Sequence, residues 1–448
     1  MNRTLIHNAL IVNEGERFKG FVVINGECIE QVGRGDAPAQ LLNGDINKHD
    51  AEGAYLLPGC IDDQVHFRDP GLTHKADMAT ESCAAVAGGV TSFMDMPNTI
   101  PQTITLDALD AKHRRAEEVS VANYSFYIGA TNDNIDTLLE CDYTKVPGVK
   151  LFLGASTGNM LVDNNEALNR IFAEVPALIA IHSEDEDVIR RNKEAMIAKY
   201  GEDVPVEEHP NIRSVEACYK STEKAVEMAR RHNARLHVLH ISTAEELKLL
   251  TREPLEDKKI TAEVCAHHLW WTAEDHATLG TRIKWNPAIK SLEDRQALRD
   301  GLNSGLIDVV ATDHAPHLLS EKEGGAIKAT SGAPLVQYSL PMMLQLADDG
   351  VFTVEQVVDF MAHRVAKLFH IEKRGYIREG YYADLTIVKP NTSYIVKDED
   401  VLSRCGWTPL VGTMLNNKVV STYVNGCRVF NNGTIDESCR GMALRYRI

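Results

Sequence analysis

The stretch Cys60-Ile61-Asp62-Asp63-Gln64-Val65-His66-Phe67-Arg68-Asp69-Pro70-Gly71 reads as a short strand running into a turn. Alternate side chains on a strand share a face, so Asp62, Gln64 and His66 are expected on one side and Asp63 on the other. Downstream, Ser82-Cys83-Ala84-Ala85-Val86-Ala87 leads into Gly88-Gly89, a helical run with a stop signal before the next apolar strand. This strand–helix unit recurs. Strands are expected at 60–67, 90–96, 124–130, 148–154, 177–182, 235–242, 260–267 and 307–314. Repeated βα units of this kind predict a (β/α)8 TIM barrel. An open doubly wound sheet is the alternative, but no GxGxxG follows an early strand.

The two ends of the chain have a different grammar. Phe21-Val22-Val23-Ile24, Asn25-Gly26, Glu27-Cys28-Ile29-Glu30-Gln31-Val32 reads as a hairpin with a two-residue turn. Val420-Ser421-Thr422-Tyr423-Val424, Asn425-Gly426, Cys427-Arg428-Val429-Phe430 repeats it, and Ala383–Val388 adds a strand. The expected organisation is a small β-sandwich domain built from 1–55 and 372–448, around a barrel spanning 56–371.

With 448 residues, 44% hydrophobic and 25% charged, the composition is that of an ordinary globular protein. A formal net charge of −17 argues against nucleic acid and anionic membrane as partners. The nine cysteines form no CxxC pair, which predicts reduced thiols in the cytoplasm and does not point to cysteine-bound zinc. The first residues, Met1–Ala9, lack the apolar core of a signal peptide, and no apolar run approaches a membrane span.

A barrel carries its site at the carboxyl ends of its strands. There the sequence places His66, Lys150, His182, His240 and Asp313-His314. Singly, each has a plain reading, such as a hydrogen-bonded core histidine or a helix cap. Together they form a nitrogen and oxygen ligand set suited to zinc or a similar ion. His237 should face away from His240, as a core or interface residue. The segment 183–210 is expected to be a solvated helix rather than a lid, and 324–334 to border the pocket.

Five pieces carry a resemblance: His66-Phe67-Arg68-Asp69-Pro70-Gly71, Met96-Pro97-Asn98-Thr99, His240-Ile241-Ser242-Thr243, His267-His268-Leu269 and Asp313-His314-Ala315-Pro316-His317. In combination, from about 56 to 317, they resemble the dihydroorotases, within the cyclic amidohydrolases. The resemblance implies reversible hydrolysis of dihydroorotate to N-carbamoyl-aspartate. It implies His66, Lys150, His182, His240 and Asp313 as ligands of one or two zinc ions, with Lys150 carboxylated by carbon dioxide. A carbamate on a long stem offers two anionic oxygens that can bridge cations. Arg68, Asn98, Asn286 and His317 are implied to hold the substrate, Arg68 taking its carboxylate through a two-pronged bond. Asp313 is implied as the proton shuttle. His267 and His268 are implied to support the ligand shell rather than to ligate.

Gln64 departs from the family pattern, which has a histidine there. A neutral amide oxygen is a weaker donor to zinc than imidazole, so the metal site it serves is expected to be weakened. Asp62, on the same face, is a candidate to compensate. The competing readings are an allantoinase or other cyclic amidase, and a catalytically silent relative acting as a partner subunit. A homodimer is expected, with a small anionic molecule as substrate.

Overall fold

The computed structural model describes residues 3–153 and 160–447. Each expected inner strand has a counterpart. Cys60–Val65, Val90–Asp95 and Asn123–Phe126 form one parallel sheet. Ile128–Gly129, Val149–Phe152, Ile179–His182, Leu236–Val238, Ile260–Cys265 and Val309–Ala311 form a second. The last position of the expected strand 148–154 lies outside the described residues. Almost every residue of these strands is buried, the signature of parallel strands covered on both sides. The chain runs directly from Phe126 to Ile128 between the two sheets. At the other seam Val65 bridges His314, and His66 N–H donates to the His314 carbonyl at 2.7 Å.

Helices follow the strands, and several begin at polar caps. Thr105 Oγ1 accepts from Ala108 N at 3.2 Å before Leu106–Val119. Asp185 Oδ1 accepts from Val188 N at 2.9 Å before Glu186–Tyr200. Such caps satisfy donors that the first helical turn leaves open. The second helix takes up 186–200 of the expected 183–210 segment, and a loop and a single 3-10 turn at Val206–Glu208 follow it.

Strands from both termini join one nine-stranded sheet that includes Arg3–Asn13, Glu16–Asn25, Cys28–Arg34, Tyr55–Pro58, Leu385–Lys389, Lys418–Val424 and Cys427–Asn431. The second hairpin turns at Asn425-Gly426 as expected, both left-handed at φ 50 and 76. The first turns one residue later than expected, at Gly26-Glu27, with Asn25 paired to Cys28. Only Gly26 is left-handed there, and Asn25 stays in the ladder. The two turns pack together: a Cβ on Gly426 would lie 2.1 Å from the Gly26 carbonyl oxygen.

Reduced thiols were expected throughout, but Cys427 and Cys439 are joined as a disulfide. Their spacing of 12 residues gave no motif, and the fold brings them together. Among the described residues, no helix is long and apolar enough to cross a membrane.

One ion pair links this scaffold to the opening motif. Lys112 and Asp95 pair while wholly buried, Lys112 Nζ also donating to the Met96 carbonyl at 3.1 Å. The other Asp95 oxygen accepts from Phe67 N at 2.7 Å, fixing the backbone just before Arg68. Lys112→Met would leave that carboxylate buried without a cation, and is expected to cost about 3–5 kcal/mol in chemical denaturation. A loss under about 1 kcal/mol would show the pair to be dispensable.

Candidate active site

The strand ends converge. Gln64, His66, Arg68, Asn98, Lys150, His182, His240, Asn286, Asp313 and His317 all line one cavity of about 1140 Å³. Thr330, Ser331 and Gly332 border it, as expected of the 324–334 segment. That segment is tethered by His314, whose Nδ1 accepts from Leu335 N and Val336 N at 2.9 and 3.1 Å. His314 Nε2 meets Glu81 at 2.7 Å, so this histidine is structural.

The imidazoles are aimed by their neighbours. His66 Nδ1 bonds Asn98 Oδ1 at 2.8 Å, which leaves Nε2 toward Asp313 Oδ1, 3.1 Å away. His182 Nδ1 and His240 Nε2 lie 3.0 Å apart, and His182 Nε2 meets Glu184 at 2.9 Å. Glu184 pairs in turn with Arg213. Burial alone would raise the Glu184 carboxyl, but Arg213 and His182 outweigh it and hold it at about 2. Burial also drives the His182 and His240 imidazoles toward the neutral form a metal requires. His240 Nδ1 is buried and has no hydrogen-bond partner among the described residues. Burial pushes the Lys150 amine down to about 7, against Asp313, Glu263 and Cys265. An amine so shifted is free to react with carbon dioxide at neutral pH.

Arg68, His240 and Asp313 hold left-handed backbone, with φ of 65, 40 and 46. Each such residue costs on the order of 1–3 kcal/mol and persists only where its surroundings fix it. Glu263 does so for His240, accepting its N–H at 2.9 Å. Trp285 Nε1 donates to the Asp313 carbonyl at 3.3 Å. Arg68 Nε donates to the Pro316 carbonyl at 3.1 Å, and its NH2 group lies 3.0 Å from His317 Nε2. Lys75 Nζ approaches His317 Nδ1 at 3.1 Å. Burial, then Arg68, Lys75 and Lys322, keep His317 neutral. A neutral imidazole has one acceptor nitrogen, so it cannot accept from both cations together. Lys75 is itself paired with Glu321 at 2.7 Å, so Arg68 is the group that brings positive charge to this corner of the cavity. Asn286 Oδ1 has no hydrogen-bond partner among the described residues.

Two expectations at the opening motif are corrected. Asp62 does not compensate for Gln64: its carboxylate bonds the Thr312 hydroxyl at 2.6 Å and is buried away from the cavity. Pairing with the neighbouring strand slips between Asp62 and Val65, so simple alternation fails. Gln64 itself reaches Asp313 Oδ1 at 3.4 Å through Nε2 and faces the Cys265 thiol at 3.8 Å through Oε1. His237 is a core residue, fully buried, with Nε2 3.3 Å from Asp63. Glu184, Glu263, Asp95 and Trp285 were not singled out from sequence. Glu184 alone left a cue, two residues beyond His182.

The amidohydrolase family profile matches residues 55–429. The chain belongs to the amidohydrolase family. Within it, the chain is 36% identical over 375 residues to a dihydroorotase of Methanosarcina acetivorans, covering 81% of this chain and 79% of that one. It is 35% identical over 416 residues to a dihydroorotase of Halobacterium salinarum, covering 92% and 93%. The solved L-hydantoinase (dihydropyrimidinase) of Arthrobacter aurescens superposes with a TM-score of 0.90 at 26% identity, covering 97% of this chain and 98% of that one. The profile leaves out residues 1–54 and 430–448, while the likeness to the L-hydantoinase covers 97% of the chain.

Proposed function

We propose that this amidohydrolase is a dihydroorotase, opening the ring of dihydroorotate to N-carbamoyl-aspartate and closing it again in pyrimidine synthesis. The observation that carries the reading is Arg68, a buried guanidinium in the same cavity as the histidine, lysine and aspartate cluster. A ring carboxylate would draw its free donors away from His317, with charge-assisted bonds in a water-poor corner. Asn286, with an open amide oxygen, suits the donor and acceptor edge of a cyclic amide.

We read the two parallel sheets as one (β/α)8 barrel, joined at Phe126–Ile128 and at Val65–His314. The terminal sheet is then a flanking domain of 1–55 and 372–448, in a cytoplasmic homodimer. The donor set fits divalent cations: His66, His182, His240, Asp313 and Lys150 as a carbamate would hold one or two zinc ions. When bound, such ions supply Lewis acidity and lower the pKa of water toward ~7. The protein's own groups do the rest. Asp313 accepts the proton of the attacking water at a carboxylate oxygen and returns it to the ring nitrogen that leaves. Arg68 and His317 anchor the carboxylate, and Asn98 keeps His66 turned toward Asp313.

Three measurements test this. Activity on dihydroorotate should exceed that on hydantoin or allantoin, which lack the ring carboxylate, by about 10²-fold or more. Equal rates would favour another cyclic amidase. Chelation should abolish activity and added zinc restore it. Gln64→His should slow that loss, because imidazole is the better donor. Unchanged sensitivity to chelator would show that Gln64 does not weaken the site.

A further inference from the structure

Beside the cavity lies a second group of ligand-type atoms that the reaction above does not use. Cys265 ends its strand fully buried, and its Sγ faces Gln64 Oε1 at 3.8 Å and Glu263 Oε1 at 3.5 Å. His267 and His268 follow within one turn, also buried. His268 Nε2 bonds the Pro287 carbonyl at 3.2 Å, which leaves the proton on Nε2 and a lone pair on Nδ1. Among the described residues that Nδ1 has no hydrogen-bond partner, and the His267 ring has at most a loose approach to the Thr312 backbone. The His267 ring is held flat against Trp285, 4.1 Å between centroids and 9° between planes. One ligand atom from each of Cys265, His267 and His268 falls within 4.8 Å of the others.

We propose that Cys265, His267 and His268 form a separate buried site for a zinc-class divalent cation, adjoining the catalytic cavity through Gln64. A histidine ligand usually donates its other N–H to a backbone carbonyl, as His268 does to Pro287. Thiolate and imidazole are the donors zinc prefers in closed sites. Zinc bond lengths require the three atoms to close by about 1 Å. Gln64 Oε1 is a further oxygen donor beside Sγ. Binding exchanges the thiol proton for the cation: the S–H bond breaks, a sulfur–metal bond forms, and the proton leaves to solvent. Burial keeps both imidazoles neutral, so they need lose no proton. Burial and the Glu263 carboxylate also hold the Cys265 thiol protonated, so the cation itself must displace that proton. The site also gives a use to buried ring nitrogens that lack good partners among the described residues, a lack that costs about 1–3 kcal/mol for each unsatisfied group.

Because the proposed catalytic ligands are all nitrogen and oxygen, cobalt can tell the two sites apart whatever the enzyme's activity. The full-length protein, stripped and reloaded with Co²⁺, should show a thiolate-to-cobalt charge-transfer band in the near ultraviolet. Cys265→Ser should lose the band, and Cys218→Ser, a change at another buried cysteine, should keep it. No band in the loaded wild type, or a band surviving in Cys265→Ser, would overturn the site. Should Cys265→Ser fail to fold, anomalous diffraction from zinc-loaded wild-type crystals decides. A peak bonded to Cys265 Sγ and His268 Nδ1 upholds the proposal, and its absence with zinc in the medium refutes it.

Discussion

Asp313→Ala is expected to reduce ring opening by at least about 10³-fold while leaving the fold intact. Asp313 lies where the cavity's chemistry meets. Its Oδ1 is 3.1 Å from His66 Nε2 and 3.4 Å from the Gln64 amide. Its charge is also among those that hold up the Lys150 amine. A proton shuttle at this position contributes about 10²–10⁴-fold, and the loss of a metal-ligand oxygen adds to that. The alanine carries a complication, since residue 313 is left-handed at φ 46. Asparagine tolerates that conformation and keeps the shape, so Asp313→Asn separates lost proton transfer from backbone strain. Both variants should show wild-type circular dichroism and thermal transitions within a few degrees. Turnover near the wild-type rate in Asp313→Asn would remove Asp313 from proton transfer.

The second large effect belongs to Arg68. Arg68→Met is expected to lower kcat/KM for dihydroorotate by about 10²-fold or more, as two charge-assisted bonds of about 1.5–3 kcal/mol each disappear. Arg68→Lys should recover only part of this, because a point charge cannot offer the two-pronged bond. The loss should be selective. A cyclic amide without a carboxylate gains nothing from the guanidinium, so any slow hydantoin hydrolysis should change little. An equal fall for both substrates would show that Arg68 supports the cavity's structure instead, through its bond to the Pro316 carbonyl.

Much of this was legible in the sequence, for physical reasons. Inner strands of a parallel sheet are buried on both faces, so they stand out as apolar runs such as Ile179–His182 between polar helices. His66, His182, His240 and Asp313 lie at or just past the carboxyl ends of their strands, where parallel α/β folds gather their sites, while Lys150 stands second in Val149–Phe152. The groups that aim them were not legible. Glu184 reaches His182, Glu263 holds the His240 backbone and Asp95 holds the Phe67 backbone through contacts set by tertiary packing. Alternation failed at Asp62–Val65, where the strand pairing slips and turns Asp62 toward Thr312. The Cys427–Cys439 bond escaped notice because neither spacing nor composition marks two cysteines at a hairpin and a tail.

Gln64 is the one mismatch in the opening motif. In the fold its amide spans two groups, with Asp313 on one side and Cys265 on the other. The most direct test of the whole account is cyclisation of N-carbamoyl-aspartate by the zinc-loaded protein, followed as dihydroorotate formed. The account predicts saturable, chelator-sensitive turnover that runs in both directions and collapses in Asp313→Asn. A zinc-loaded, folded protein that neither closes N-carbamoyl-aspartate nor opens dihydroorotate would contradict it.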